Sequence, residues 1–451
     1  MRLSEYTRHY KPIVRLGVPI IIGQLGTIVM GFADTLMIGR YGTDEMASAS
    51  FVNTLFSLVL VFGMGFSYSL TPMIGRMFGE NNHSRIGEIL KNGVLLNILV
   101  SILIVGLMLV VYSNVERLGQ PSQLLHLIRP YMLISILGLP FQQIFNVFKQ
   151  LFDGITDTRT PMWIILLGNA VNVVGNWVLI YGYCGFPELG LLGAGYATLF
   201  SRILVAVLLV LCFFTRRSAL PYRSGYVAGK INHADFFRIN RKSWPIALQM
   251  GMEAGAWSLS TIIVGWLGVT ALASHQVVLV VSQLFFMTYY GLAAAVAVRI
   301  SYFDGRKDLS SSESTAMAGL HIVLMLALVI SLPVMAFRHV VGYAFTDDAA
   351  VVALAAQTIL PLVVYQIGDG LQCIYANALR GISYVRPMMY IAFLAYFVLC
   401  LPSAYLFAVK LGGGLVGLWY SYSIGLYVAG ILYYIFFKRR MKHIKELNAR
   451  K

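Results

Sequence analysis

Three acidic residues, Asp34, Glu253 and Asp369, stand in segments of the chain that are otherwise apolar. A charged side chain at the centre of a bilayer costs about 2.5–3.5 kcal/mol on insertion scales, so such residues are rare and are usually functional. Because the three acids belong to three different apolar segments, they suggest a site that holds a cation or a proton.

Asp34 shares a helical face with other polar residues. Gln24, Thr27, Gly31 and Asp34 follow one another at spacings of 3, 4 and 3, which places them on one side of a helix. This periodicity favours an Asp34 that faces the protein interior, and an interfacial Asp near a helix end is the alternative. Gln24 and Thr27 are accordingly candidates for lining a cavity.

Neutral polar groups occur in two later apolar segments. Asn172 and Asn176 are one helical turn apart, and Thr198 lies in a segment rich in small residues. Amide and hydroxyl oxygens suit both Na⁺ binding and proton-linked hydrogen bonding. The alternative is that these residues only join neighbouring helices, as polar and small residues often do in membrane proteins.

Glu253 lies on a helical face with Gln249 and Trp257, each one turn away. Apolar residues flank Glu253 on both sides, so its carboxylate cannot easily reach the membrane surface. Gln249 and Trp257 are candidates for lining the same cavity.

Asp369 follows Tyr365 by four residues and precedes Gln372 by three, so the three side chains lie near one helical face. A Tyr hydroxyl one turn from a carboxylate can share its cation or proton. Gln372 is a further candidate for lining the cavity. No Lys or Arg within this apolar segment could pair with Asp369. The one basic residue inside an apolar segment is Arg202, which could snorkel to the surface or pair with an acid such as Asp34.

The composition identifies the class of protein. Of the 451 residues, 58% are hydrophobic and 12% are charged, against about 25% charged in soluble domains, and the mean hydropathy is +0.74. The fold class expected is therefore all-α and polytopic, with twelve transmembrane helices. The predicted spans are 13–37, 51–74, 91–112, 130–152, 161–183, 191–214, 243–267, 276–299, 316–337, 350–375, 388–409 and 415–437.

Most of the 34 Lys and Arg residues fall on one side of these spans. They include Arg2 near the N-terminus, a cluster in residues 216–242, and Arg450 and Lys451 at the C-terminus. By the positive-inside rule both termini are cytoplasmic. The net charge of +15 thus reflects topology and affinity for anionic lipid headgroups, and no nucleic-acid partner is expected. The four scattered cysteines predict neither a disulfide framework nor a transition-metal site, and no cleavable signal peptide is recognised.

The two halves of the chain match at a nearly constant offset of 226 residues. Pro19 corresponds to Pro245, and Gly65 corresponds to Gly291. Since each repeat holds six spans, both enter the membrane in the same orientation, which is one of the transporter plans. The predicted domains are residues 1–215 as an N-terminal six-helix lobe, 216–242 as a basic cytoplasmic linker, and 243–451 as a C-terminal six-helix lobe with a basic tail.

Three segments together resemble the MATE family (multidrug and toxic compound extrusion) in its NorM-like branch. They are Phe-Ala-Asp-Thr-Leu-Met-Ile-Gly at 32–39, Gln-Met-Gly-Met-Glu at 249–253, and Tyr365 with Asp369. The resemblance implies two lobes in a V around a central cavity, in a bacterial inner-membrane protein that exports drugs against an inward flow of Na⁺ or H⁺. It places a C-lobe cation site on Glu253, Asp369 and Tyr365, and an N-lobe site on Asp34, Asn172, Asn176 and Thr198.

The function expected is a cation-coupled antiporter for lipophilic, mostly cationic compounds, without a cofactor and acting as a monomer in contact with membrane lipids. The alternatives are a flippase for lipid-linked precursors, a membrane-embedded enzyme, and a receptor or channel. Anionic lipid-linked substrates would call for a basic cavity, whereas the candidates here are acidic. No HExxH, GxSxG or nucleotide-binding loop occurs. The sequence leaves the choice between Na⁺ and H⁺ open.

The acids are not duplicated with the scaffold. At the repeat offset Asp34 corresponds to Ser260, and Glu253 corresponds to Thr27. We therefore expect different polar sites in the two lobes, with Glu253 and Asp369 as the coupling pair and Asp34 as a separate polar centre.

Overall fold

A computed structural model describes residues 3–449 of the chain, which are helical and contain no strand. Arg2, Arg450 and Lys451 of the charge assignment lie outside the described residues. The α-helices are α1 (Leu3–Tyr41), α2 (Thr43–Ser67), α3 (Leu70–Gly79), α4 (His83–Ser113), α5 (Leu125–Leu137), α6 (Leu139–Gly154), α7 (Arg159–Tyr181), α8 (Leu191–Thr215), α9 (Leu220–Ala228), α10 (His233–Trp266), α11 (Val269–Gly305), α12 (Leu309–Ala336), α13 (Arg338–Val341), α14 (Ala349–Gly381), α15 (Arg386–Ala392), α16 (Leu401–Tyr405) and α17 (Gly414–Ala449). A short π-helical stretch, Phe393–Cys400, joins α15 to α16, and a second one, Leu406–Lys410, follows α16 and completes the same span.

Within the described residues, eleven helices are long and apolar enough to cross a membrane. They coincide with eleven of the predicted spans, and no predicted span extends more than two residues beyond its helix. This agreement confirms the all-α polytopic fold class. The remaining predicted span, 243–267, lies in α10. Gln249, Glu253 and a run of Ser and Thr residues in α10 lower its hydropathy below that of its neighbours. The helix that is least apolar is thus one that carries a candidate functional acid.

The chain divides into two compact units by its internal contacts. The N-terminal unit comprises Ile22–Ala247, and the C-terminal unit comprises the chain up to Ile21 together with Leu248 onwards. The beginning of α1 therefore packs with the C-terminal unit, and the beginning of α10 packs with the N-terminal unit. The domain limits at 215 and 242, which follow the sequence repeat, stay a prediction.

The duplication is visible in the backbone. Asn81 (φ 56°) and Lys307 (φ 57°) both adopt the left-handed conformation at a helix end, and Thr156 (φ 66°) and Ser383 (φ 55°) form a second such pair. Non-glycine residues rarely adopt this conformation. The residue after each member of the first pair caps the next helix through its side-chain oxygen. The same rare backbone conformation thus recurs at equivalent positions of the two repeats. This recurrence indicates that both repeats derive from one ancestral six-helix unit.

The segment between the repeats is not an extended linker. It contains α9, which packs against α4 so closely that the backbones touch at Gly87 and Gly225. The Lys91 ammonium donates to the Gly229 carbonyl at 2.7 Å. Asp235, which is 1% exposed, pairs with the Arg85 guanidinium at 2.5 Å. The basic composition of this segment gives no sign of the glycine contact that docks it on α4, and its assignment as a cytoplasmic linker stays a prediction.

We expect Gly87→Ala to destabilise the protein. A Cβ at this position would lie 2.1 Å from the Tyr222 carbonyl oxygen, and overpacking of this kind costs about 1–3 kcal/mol. Gly106→Ala in the same helix meets nothing within 4 Å and should be neutral or stabilising, because alanine favours helices by about 0.5–1 kcal/mol. Melting temperatures of the two variants in detergent measure the difference, and equal values would contradict the close contact of α4 with α9.

Candidate functional site

Asp34 is the first member of a hydrogen-bonded chain in the N-terminal unit. The Asn176 side-chain N–H donates to the Asp34 carboxylate and to Oδ1 of Asn172 at 3.2 Å. The Asn172 amide in turn donates to the Thr198 hydroxyl at 3.1 Å. Both Asn residues are fully buried. The structure thus brings together the four residues that the resemblance to the MATE family grouped.

Gln24 and Thr27 do not join this chain. The Thr27 hydroxyl donates to the Gly23 carbonyl of its own helix at 3.1 Å, which is the local bond that a Thr in a helix commonly makes. Thr27 is exposed, and Gln24 is partly buried. Asp34 meets Asn176, but Thr27 and Gly31 on the same predicted face are exposed, so the shared face did not make the earlier residues partners of the acid.

Two further residues lie near Asp34. Arg202 of α8 is close enough for its positive charge to act on the carboxylate, and Tyr131 of α5 is close enough to feel the charge of Asp34. The Tyr131 hydroxyl donates to Oδ1 of Asn53 at 3.5 Å. Arg202 is partly buried and interacts with Asp34 without forming an ion pair. Arg202 was visible as the single base within a span, whereas nothing in the sequence distinguished Tyr131.

Glu253 and Asp369 form the polar centre of the C-terminal unit. They come from α10 and α14 and interact electrostatically. The Gln249 amide donates to the Glu253 carboxylate at 2.9 Å, and the Cys373 thiol lies 3.7 Å from Oδ1 of Asp369 as a weak donor. Asp369 is 1% exposed. The site therefore holds two carboxylates in an environment from which water is largely excluded.

Several oxygen atoms around these carboxylates are buried without a hydrogen-bond partner in the described residues. They are Oδ2 of Asp369, the side-chain carbonyls of Gln249 and Gln372, and the hydroxyls of Tyr289 and Tyr396. Each belongs to a residue that is hydrogen-bonded to, or interacts electrostatically with, one of the two acids. Hard oxygen ligands such as these suit a small monovalent cation or a proton. Most buried polar atoms have partners, so this concentration makes the centre a candidate binding site.

An aromatic cluster covers one side of the same centre. The Trp257 ring lies 5.7 Å from the Tyr365 ring and 4.6 Å from the Tyr422 ring, and Tyr365 is 5.5 Å from Trp419. The Trp419 indole N–H donates to Nδ1 of His275 at 3.3 Å. Tyr365 is buried one turn before Asp369. The cluster excludes water on that side, and its ring faces are attractive to cations.

The predicted residues of the C-terminal unit therefore lie together: Gln249, Glu253, Trp257, Tyr365, Asp369 and Gln372. Sequence reasoning missed Tyr289, Tyr396 and His275, because single Tyr and His residues in aromatic-rich spans carry no spacing signal. In the described residues no three side chains among His, Cys, Asp and Glu come together as metal ligands do. The donor set consists of two carboxylates and neutral oxygens.

Comparison with known proteins gives one family and one fold. The family model described as MatE matches residues 19–178 and again residues 245–406, so the two matches begin at the repeat-related positions Pro19 and Pro245. A MATE point-mutant crystal structure has 19% identity and a TM-score of 0.88, with 97% of each chain covered. An outward-facing multidrug resistance MATE transporter of the MOP superfamily has 20% identity and a TM-score of 0.88, again with 97% of each chain covered.

A third similar structure is a MOP superfamily transporter from Pyrococcus furiosus, with 20% identity and a TM-score of 0.87 over 97% of this chain and 96% of that one. It is described as having a binding pocket of reversed polarity that suggests a different function. At these identities the structures show a common fold. Which ions and substrates a member takes must be argued from its own residues.

We expect Asn172→Val to lower the melting temperature, because the substitution removes two hydrogen bonds and leaves groups of Asn176 and Thr198 without partners. The cost should be about 1–2 kcal/mol, between the average for membrane-protein hydrogen bonds and that for an unsatisfied buried group. Asn169→Val in the same helix is the matched control, because the Asn169 amide nitrogen has no hydrogen-bond partner among residues 3–449. Equal destabilisation by both variants would contradict the chain from Asp34 to Thr198.

Proposed function

Because the chain belongs to the MatE family, we propose that this membrane transporter is an antiporter that exports lipophilic, mostly cationic compounds in exchange for Na⁺ or H⁺. The two family matches cover most of the chain. The finer claims, which are the coupling ion, the substrates and the roles of individual residues, rest on the chemistry of the two polar centres.

The observation that carries the proposal is the pair of carboxylates in the C-terminal unit. Two negative charges in a medium of low dielectric repel each other strongly, and a bound cation relieves that repulsion. The buried oxygens of Gln249, Gln372 and Tyr396 can complete the coordination of Na⁺ or accept and donate hydrogen bonds around a proton. We assign Glu253, Asp369 and Tyr365 to this coupling site.

Coupling follows from competition for the same charge. An organic cation is attracted by ionised carboxylates and held by aromatic rings such as Trp257, whereas Na⁺ or H⁺ neutralises the carboxylates and releases it. This competition is a coupling free energy between sites and must be reciprocal. The membrane potential adds about 2.3 kcal/mol for each charge that moves through 100 mV, so inward flow of the small cation can drive export.

Asp34, Asn172, Asn176 and Thr198 provide a second polar centre in the N-terminal unit. This hydrogen-bonded chain contains one carboxylate and three neutral donors or acceptors. Its amides can reorient when the charge of Asp34 changes. We propose that it responds to a cation or proton at Asp34. No cofactor takes part in the proposed mechanism, and a monomer in the membrane suffices for it.

We expect Glu253→Gln and Asp369→Asn each to abolish ion-driven export of ethidium while leaving the protein folded. Each substitution keeps the side-chain size and removes one of the two charges on which coupling depends. Asp347→Asn, at an exposed loop position, is the matched control and should export like the unchanged protein. Full ion-driven efflux by both charge-neutral variants, measured in proteoliposomes, would overturn the proposal.

The choice of ion is settled in the same proteoliposomes by imposing a Na⁺ gradient and a pH gradient separately. A Na⁺-coupled protein should export ethidium under the first gradient alone, and its thermal stability should rise with Na⁺ but not with choline. A proton-coupled protein should respond to the second gradient. No export under either gradient would contradict antiport.

Membrane orientation gives a further prediction. Cys184 is the one exposed cysteine, whereas Cys373 and Cys400 are buried. If both termini are cytoplasmic in the bacterial inner membrane, Cys184 lies on the outer side and should react with a membrane-impermeant maleimide added to spheroplasts. Cys184→Ser should abolish that labelling. Labelling only after the cells are lysed would reverse the proposed topology.

A further inference from the structure

A row of buried polar side chains runs along α6 in the N-terminal unit. Gln143, Asn146, Gln150 and Asp153 are spaced by 3, 4 and 3 residues, which places them on one helical face, and each is 4–5% exposed. The row is distinct from the hydrogen-bonded chain that joins Asp34 to Thr198. Polar side chains inside a membrane-spanning unit cost free energy, so a polar row of this length suggests a function.

Each member of this α6 row has a polar partner, either within the row or beside it. The Asn146 amide donates to Oε1 of Gln143 at 3.1 Å. The Thr71 hydroxyl donates to Oε1 of Gln150 at 2.6 Å, and the Lys149 ammonium pairs with Asp153 at 2.6 Å. The row thus leads from the beginning of α6 to its last turn, and an ion pair stands at that end.

The end of the row nearest the beginning of α6 borders a small cavity. Gln143 and Asn146 line it together with Gln142 and apolar residues, and the cavity leaves about 10 Å³ for the centres of water-sized molecules, which is close to the space that one water needs. Nε2 of Gln150 and Oδ1 of Asp153 are buried without a hydrogen-bond partner in the described residues. Polar atoms in such a position usually bond to ordered water.

Arg202 interacts with Asp34 on one side and packs beside the residue that immediately precedes α6 on the other. It follows Thr198 by one turn on the same face of α8 and interacts electrostatically with Asp34. On the other side its guanidinium packs beside Gly138, where a Cβ would lie 3.0 Å from Nη1. Gly138 immediately precedes α6, and its carbonyl accepts from the Gln142 backbone. Arg202 therefore lies between the two polar regions of this unit.

We propose that Arg202 is an electrostatic barrier that keeps protons and small cations from leaking through the N-terminal unit between Asp34 and the α6 row. A fixed guanidinium is always charged and repels hydrated protons and cations, as arginines do in water-selective pores. Without it, no fixed positive charge would stand between Asp34 and the beginning of α6, where Gln143 and Asn146 line the small cavity. Arg202 allows Asp34 to exchange ions on one side of the barrier only.

The test measures proton leak without any drug, so it does not depend on the proposed transport function. Proteoliposomes loaded with a pH-sensitive dye are given a pH gradient, with potassium and valinomycin clamping the potential. The unchanged protein should be tight. Arg202→Gln should raise the proton flux by about tenfold or more, since one unit charge acts strongly over a few ångströms of protein interior, and Arg202→Lys should stay tight because it keeps the charge.

A double variant identifies the route. Asn146→Leu, introduced into the Arg202→Gln protein, should return the flux to the original level by interrupting the α6 row. Arg299→Gln is the control for neutralising a partly buried arginine in the other unit and should not leak. A tight Arg202→Gln protein would overturn the proposal, and so would a leak that Asn146→Leu leaves unchanged.

Arg202→His keeps the proposal testable if the Gln variant does not fold. A histidine is charged mainly below about pH 6.5, so at a constant pH difference this variant should leak more near pH 8 than near pH 5.5. A flux that does not change between the two conditions, in a protein with a normal elution profile, would overturn the barrier role.

Discussion

Lipid offers no hydrogen bonds, so every polar group that this chain carries into the membrane must find its partner inside the protein or remain without one. Many Ser, Thr and Asn side chains in its helices meet this constraint locally, through a bond to the carbonyl one turn back, as in Thr27 and Ser260. The carboxylates cannot do so, because they have no proton to donate when ionised. Asp34, Glu253 and Asp369 therefore determine where other helices must supply donors.

This constraint explains how a duplicated scaffold carries unequal sites. The backbone keeps its duplication even at the left-handed residues Asn81 and Lys307, yet Asp34 and Glu253 lie at positions where the other repeat has a hydroxyl. Ser260, the counterpart of Asp34, donates to Ala256 of its own helix at 2.7 Å. Thr27, the counterpart of Glu253, likewise donates within its helix. The hydroxyls at these two counterpart positions thus form their hydrogen bonds within their own helices. At each of the two positions, only one repeat carries an acid.

The parts of the fold and site that could be predicted are those encoded in local pattern. Apolar runs located the spans because burial in lipid requires them, and helical spacing selected the faces of Asp34 and Asp369. The docking of α9 on α4 could not be predicted, because the contact of Gly87 with Gly225 joins residues far apart in sequence. The family resemblance grouped Asp34 with Asn172, Asn176 and Thr198, and the contacts among them are in place, although their role in coupling stays a prediction.

The α6 row shows a different limit. Its 3, 4, 3 spacing is the same pattern that drew attention to Asp34, but its members are mostly amides, which in a single sequence cannot be told from residues that only join helices. Burial in the structure distinguishes the α6 row from ordinary helix-joining residues, because its four polar side chains lie on one face and are each almost completely enclosed.

The charge balance of the two polar centres decides which of them requires a cation. In the N-terminal unit Asp34 faces the positive charge of Arg202, so the carboxylate is partly compensated without any ligand. In the C-terminal unit Glu253 and Asp369 interact with each other, and the buried Arg380 acts electrostatically on Glu253. The side-chain carbonyls of Gln249 and Gln372 are buried without a hydrogen-bond partner in the described residues. In the proposed mechanism an added proton or cation relieves the repulsion that remains between these two carboxylates. On that proposal Glu253 and Asp369 are the candidates for the coupling pair, and Asp34 is a candidate for modulating it.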